Sequence, residues 1–307
     1  MEVRLLSSAP VLYPSFDIRY VNDISMRPEI YQSSTEKWFN RNLPIPDQSR
    51  LVVGTFDIDI KRLELLREGL KSTGLGVWSI PEGAYSTIYF WSPVDEELST
   101  RIRARWYTKP AELESLGSTD RVSINPNQSA LLEVKVTFPL ENGKEYEIKY
   151  RQRSSINTVL RVSQNLRMAT DILNSAEHIS VAPFISKIPQ EVFSAIGERH
   201  PSGLVPTVMV SAIREHFVVD DNSPDDFRVT VDYNYKYHSF WSMSPWEAEN
   251  IGGYPYLRTE VKVGDEKFLG KAEDVINIIR REGGFPPEVT KHADKTFINH
   301  KYSTNGS

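Results

Sequence analysis

The stretch "RIRARWY" (101–107) places Arg101, Arg103 and Arg105 at every second position, with Ile102, Ala104 and Trp106 between them. In an extended strand successive side chains alternate faces, so the guanidiniums share one side and the apolar groups the other. Like charges crowded on one face repel unless an anion or a ring of carboxylates meets them. A guanidinium donates two parallel hydrogen bonds to a phosphate, which makes a row of arginines suited to phosphoryl groups.

The same alternation returns in five other stretches. Glu133, Lys135 and Thr137 oppose Leu132, Val134, Val136 and Phe138; Glu147, Lys149, Arg151 and Arg153 oppose Tyr146, Ile148 and Tyr150. Arg228, Thr230 and Asp232 oppose Phe227, Val229 and Val231; Arg258, Glu260 and Lys262 oppose Leu257, Val261 and Val263. Arg214 and His216 share a face in the stretch between. One strand of this kind is an ordinary sheet with a charged side toward solvent. Repeated six times with arginine predominating, the pattern fits a polar lumen that holds a polyanion, with a few carboxylates left over for a metal ion.

These residues need a scaffold of strands. Strand-like patterns cover 50–58, 84–91, 100–107, 130–138, 145–153, 207–217, 227–235 and 256–263. The Asn-Gly pair in "ENGK" (141–144) marks a hairpin. Helical periodicity covers 60–73, with Leu63, Leu66 and Leu70 on one face, then roughly 155–174, 188–197 and 271–282. "STGLG" (72–76) follows a helix and reads as its glycine cap, and "IGGYP" (251–255) as a turn. Helices do not separate every strand pair, so a regular parallel α/β alternation fails. The expected class is α+β: an eight-stranded, mostly antiparallel, closed β-barrel with helices packed on its outside.

Composition bounds the rest. The 307 residues suffice for one large domain or two small ones. Residues 1–47, rich in Pro, Ser and aromatics, read as an N-terminal extension or packing arm, and 48–307 as the domain. A net charge of −5 argues against a general nucleic-acid binder, so a basic face is a local feature. The absence of cysteine excludes disulfides and thiolate chemistry. No apolar run reaches the length of a membrane span and no signal segment is visible, so a cytoplasmic protein without a membrane partner is expected.

In order along the chain, "STIYFWSP" (86–93), "RIRARWY", "LEVKV" (132–136), "KYRQRS" (149–154), "VSAIREHF" (210–217), "FRVTVDYN" (227–234), "TEVKV" (259–263) and "HKYSTNG" (300–306) carry a resemblance. Together they resemble the polyphosphate polymerase domain of the vacuolar transporter chaperone family, within the triphosphate tunnel metalloenzymes. The likeness runs across residues 50–306. It implies a basic tunnel in which Arg103, Arg105, Lys135, Arg214, Arg228 and Lys262 serve catalysis, while Lys149, Arg151, Arg153 and Lys301 bind phosphate. It also implies Mn²⁺ or Mg²⁺ at Glu260, with Glu133 helping. The partners would be a nucleoside triphosphate and polyphosphate, with no sequence-specific nucleic acid.

Two positions depart from the family. Its first strand carries an acidic "ExExK" or a single Lys; here "VVGTF" has neither, and the comparable spacing is Asp57, Asp59 and Lys61. Trp91 stands where the family has Asp. The expected activity is ATP-dependent polyphosphate synthesis by a stand-alone domain. The alternatives are hydrolysis of tripolyphosphate or of RNA or nucleoside triphosphates, and non-catalytic binding of polyphosphate or a nucleotide.

Overall fold

A computed structural model describes residues 51–78, 83–91, 102–117, 120–139, 145–175, 188, 190–219, 226–240 and 244–287, with the backbone alone over most of 135–150. The spine is a long antiparallel pair, β8 (Val205–Val218) and β9 (Phe227–Ser239). On one side follow β3 (Ala84–Trp91), β4 (Ile102–Thr108), β6 (Ser129–Pro139) and β7 (Glu145–Ser155); on the other, β11 (Tyr256–Val263) and β1 (Leu51–Asp59). The hydrogen-bonded order is β1-β11-β9-β8-β3-β4-β6-β7, and every pairing is antiparallel.

Each expected strand is present, four of them within one residue at both ends. Three more extend the sheet: β2 (Gly76–Trp78), β5 (Arg121–Ser123) and β10 (Glu247–Tyr254). The sheet therefore has eleven strands, not eight. It also does not close: among the described residues β1 and β7 stand at the two ends of the path and do not pair with each other. The expected closed barrel is corrected to an open α+β sheet.

The helices are α1 (Leu63–Ser72), α2 (Pro110–Gly117), α3 (Ile156–Gln164), α4 (Ala169–Ser175), α5 (Gln190–Arg199) and α6 (Leu269–Arg281). The single helix expected over 155–174 is broken at Asn165, whose φ of −130° and ψ of 60° leave the helical region. Its start is capped by Ser155, whose Oγ accepts from the Thr158 amide at 3.1 Å. Gly74 has φ +80° and closes α1, as read from "STGLG". Residues 251–254 of "IGGYP" are strand, and the turn narrows to Pro255 between β10 and β11. Gly253 makes the close approach possible, because a Cβ there would lie 2.6 Å from the Tyr235 carbonyl oxygen.

Two separate apolar cores back the sheet. One packs Leu66, Leu70, Val275, Ile276 and Ile279 from α1 and α6 against Phe217, Val229, Val231, Leu257 and Val261. The other packs Val159, Val162, Ile172, Phe193 and Ile196 from α3, α4 and α5 against Ile88, Ile102, Ala104, Leu132 and Val134. Ile102 and Ala104 are fully buried there and Trp106 packs beside them, as the alternation in "RIRARWY" requires.

The boundary between the cores is a crease. Asn234 has φ +54°, and the β8–β9 register slips there by one residue, which is a bulge in β9. Both neighbours of the spine break at the same level. β8 pairs with β3 through Ile213 and with β2 from His216; β9 pairs with β11 through Asp232 and with β10 from Tyr235. No helix among the described residues is long and apolar enough to cross a membrane.

Candidate anion-binding site

Directly opposed residues in an antiparallel sheet share a face, so the register assigns every charged side chain to a side. Opposite the helices, one face carries Asp57 of β1, Arg258, Glu260 and Lys262 of β11, and Arg228, Thr230 and Asp232 of β9. It continues with Arg214 and His216 of β8, Thr87 and Tyr89 of β3, Arg103 and Arg105 of β4, Glu133 of β6, and Arg151 and Arg153 of β7. The Asn234 bulge shifts the alternation, so Tyr235 and Tyr237 join this face beyond it; they cluster with Tyr85 and Trp91.

Across the strands the residues form rows of unlike character. At the crease, Arg214 faces Asp232, Asp232 faces Arg258, and Arg258 faces Asp57. Cation and anion alternate and neutralise one another. Arg214 donates to Asp232 from Nε at 2.6 Å and Nη2 at 2.5 Å; Arg258 donates to Asp57 from Nε at 2.9 Å and Nη2 at 3.1 Å. The Tyr254 hydroxyl adds a bond to Asp57 at 2.6 Å, and Asp57 is fully buried. Burial opposes the Arg214 charge, yet Asp232 holds its pKa well above the ordinary value.

The rows on either side are richer in cations. Arg228 faces Lys262 directly, and Lys135 faces Lys149 in the backbone register of β6 and β7. Arg105 and Arg153 both face Leu131. Among the described residues Arg105 has no carboxylate partner; its Nε donates to Thr87 Oγ1 at 3.0 Å. Like charges directly opposite are destabilising by themselves, and Glu260 offsets the Lys262 charge at 2.8 Å.

Arg103, Arg105, Arg151, Arg153, Arg214, Arg228, Glu133, Glu260 and Lys262 thus all belong to one face, and Lys135 and Lys149 are opposite each other in the backbone register. Lys301 and Arg101 lie outside the described residues, as do "ENGK" and residues 1–47. Trp246 packs against the α3–α5 core. His216 is buried, with Nδ1 3.1 Å from Thr230 Oγ1 and Trp78 stacked on its ring at 5.5 Å.

The expected metal site does not form from these residues. Glu133 and Glu260 sit on β6 and β11, with β9, β8, β3 and β4 between them in the sheet. Glu133, 1% exposed, is shared by two guanidiniums: Arg103 pairs with one oxygen and Arg151 Nε donates to the other at 2.8 Å. Glu260 pairs with Lys262 at 2.8 Å. Asp57, Asp59 and Lys61 do not form a ligand set either, because Asp57 is held by Arg258 and Asp59 accepts from the Lys61 amide at 2.9 Å, capping a short 3₁₀ turn. Among the described residues no three Asp, Glu or His side chains come together. The described carboxylates do not fit a protein-held metal; Asp57, Glu133 and Asp232 act as counter-ions that fix arginines, and Glu260 pairs with Lys262.

Sequence patterning missed part of this site. Arg258 and Asp232 were visible on the charged face, but their roles as partners at the crease depend on register. The aromatic members Tyr85, Tyr89, Tyr235, Tyr237 and Tyr254 gave no signal beyond their positions in alternating strands.

No protein-family model matches the chain, and no curated protein matches it. Among solved structures, one described as a proposed adenylyl cyclase from Hippeastrum with a dominant triphosphatase activity aligns at TM-score 0.39 and 10% identity. The alignment covers 78% of this chain and 91% of that one. A likeness at that level carries no argument about the activity of this chain.

Proposed function

We propose that the basic face binds a linear phosphate anion, a nucleoside triphosphate or inorganic polyphosphate, and transfers phosphoryl groups. One observation carries this reading: the face gathers Arg103, Arg105, Arg151, Arg153, Arg214, Arg228, Arg258 and Lys262 around the four carboxylates Asp57, Glu133, Asp232 and Glu260, so cations outnumber anions two to one. The ordered resemblance to the polyphosphate polymerase domain supports the same anion. The proposal requires the face and not a closed tunnel. Residues 48–307 would form this domain, and 1–47 its extension.

Phosphoryl transfer demands little covalent chemistry from the protein; positioning and neutralisation of the phosphate oxygens supply most of the acceleration. Arg105, Arg153, Arg228 and Lys262, together with Lys135 and Lys149, would meet the non-bridging oxygens. Arg151 and Arg214 would offer the nitrogens their carboxylates leave open, with Arg103 held beside them by Glu133. Withdrawing charge toward these cations makes the phosphorus easier to attack and the departing phosphate easier to release. Mn²⁺ or Mg²⁺ would arrive as the counter-ion of the substrate.

ATP-dependent polyphosphate synthesis, with the phosphate chain end as acceptor, is the leading form. Hydrolysis is the second reading, favoured by one feature: Glu260 is the least buried of the four carboxylates, its side chain 32% exposed, and can orient a water. The test is incubation with ATP and with tripolyphosphate, each with Mn²⁺ or Mg²⁺, followed by gel electrophoresis and orthophosphate assay. A polyphosphate ladder with ADP supports synthesis, and orthophosphate without chain growth supports hydrolysis. Binding of tripolyphosphate in chelator without turnover reduces the protein to a binder. Failure to bind tripolyphosphate at all overturns the reading.

A further inference from the structure

The inference rests on the anion-binding reading above and adds to it a residue that no sequence motif marks. Tyr85 lies on the basic face at the crease, 5% exposed, beside two arginines from different strands. The Arg214 guanidinium carbon sits 4.3 Å from its ring centroid and that of Arg105 5.1 Å. Both are within the range where the ring quadrupole attracts a cation. The phenol hydroxyl reaches Asp232 Oδ2 at 3.3 Å, the oxygen that also accepts from Arg214 Nη2.

Each arginine is also anchored by one edge. Arg214 gives Nε and Nη2 to Asp232, and Arg105 gives Nε to Thr87. Among the described residues this leaves Nη1 of Arg214 and both Nη atoms of Arg105 without a hydrogen-bond acceptor. Two guanidiniums held by one edge and gathered on one ring have their remaining donors oriented before any ligand arrives. Such orientation is what bidentate phosphate recognition needs.

We propose that Tyr85 is a positioning residue that aims Arg105 and Arg214 at one shared phosphoryl group. The ring does the work, and the hydroxyl is secondary. Thr87 and Asp232 set the two edges, and Tyr85 sets the planes. The strand pairing explains why a tyrosine is needed here. β3 lies between β4 and β8, so a large flat side chain on β3 can touch arginines on both neighbours.

The test measures tripolyphosphate affinity by calorimetry in chelator for wild type, Tyr85→Phe, Tyr85→Met, Arg105→Ala and Tyr85→Met/Arg105→Ala. Tyr85→Phe is expected to stay within about twofold of wild type, and Tyr85→Met to bind about tenfold more weakly with an unchanged circular dichroism spectrum. In the double variant the Arg105→Ala loss should shrink well below its size in wild type, a coupling that a merely structural role would not produce. Full affinity in folded Tyr85→Met, or additive losses, overturns the role of Tyr85. If Tyr85→Met does not fold, the wild-type side-chain NMR signals of Arg105 and Arg214 decide. They should shift together with one dissociation constant and one-to-one stoichiometry, and separate saturation overturns the shared group. If wild type binds no tripolyphosphate, the anion-binding reading itself has failed, whatever the variants do.

Discussion

Arg214 and Asp232 face each other across the β8–β9 spine at the crease, joined through two hydrogen bonds of 2.6 and 2.5 Å. Their side chains are 15% and 10% exposed, so the pair is largely withdrawn from water. Removing one member of such a pair strands the other charge. Asp232→Ala should lower unfolding free energy by about 3 kcal/mol in urea titrations. An unchanged urea midpoint would show that the pair does not hold the crease.

Glu133 distinguishes a counter-ion from a metal ligand. Glu133→Gln leaves Arg103 and Arg151 without their shared charge and should cost about 3 kcal/mol of stability. Mn²⁺ binding by the folded variant, followed by paramagnetic resonance, should equal that of wild type. A clear loss of Mn²⁺ affinity would return Glu133 to the metal.

Lys262 and Arg228 set a trade between stability and binding. Replacing Lys262 with Met removes the like charge facing Arg228 and also the partner of Glu260, whose side chain is 32% exposed and can turn to water, so it should cost the ligand-free protein little. The gain in melting temperature on adding tripolyphosphate should fall, because ligand stabilisation, about 2.7 kcal/mol at a hundredfold excess over Kd, shrinks as Kd rises. A thermal shift as large as that of wild type would remove Lys262 from the site.

On the helix side, Arg67 of α1, Glu215 and Tyr233 form a closed cluster; Arg67 Nη2 donates to the Tyr233 hydroxyl at 3.0 Å, which donates to Glu215 at 2.8 Å. Burial, then the bond to Glu215, pushes the Tyr233 phenol up to about 12. An unfolded tyrosine titrates near 10, so the native state binds this proton more tightly. The resulting stability is complete below about pH 10 and is lost as pH rises through about 12. Urea midpoints should fall over that window, and less steeply in Tyr233→Phe. Identical slopes would exclude Tyr233 as a source of the alkaline loss.

Asn234 carries the bulge with φ +54°. Glycine adopts that conformation freely, whereas a β-branched residue is strained by about 1–2 kcal/mol. Asn234→Gly should therefore leave the urea midpoint nearly unchanged and Asn234→Val should lower it. Equal effects from both would place the cost elsewhere.

Much of this arrangement was legible in the sequence, for a physical reason. The alternation of period two is local, so strands such as 84–91 and 256–263, and the face on which Arg103, Glu133, Arg228 and Lys262 lie, follow from the residues themselves. Strands of three residues, Gly76–Trp78 and Arg121–Ser123, have no pattern long enough to read and exist through their partners. Closure was not legible, because it depends on which strands end unpaired. Nor was the fate of the carboxylates: whether Glu133 faces a metal or an arginine depends on register with β4 and β7. The crease hinges on one residue, Asn234, which displaces the alternation that made the rest readable.

The two cores differ in when the chain can supply their parts. The core under α3, α4 and α5 draws on residues 88 to 248, whereas the other joins 53 to 75 with 217 to 279, so that Leu51 ends opposite Val263. During synthesis the first can begin to condense while β1 and α1 still wait for β11 and α6. The part of the basic face built on β1 and β11, including Asp57, Arg258 and Lys262, is therefore a late product of translation. Until it forms, the nascent protein holds an incomplete site, and a phosphate anion present at that moment would favour the finished arrangement over the half-made one.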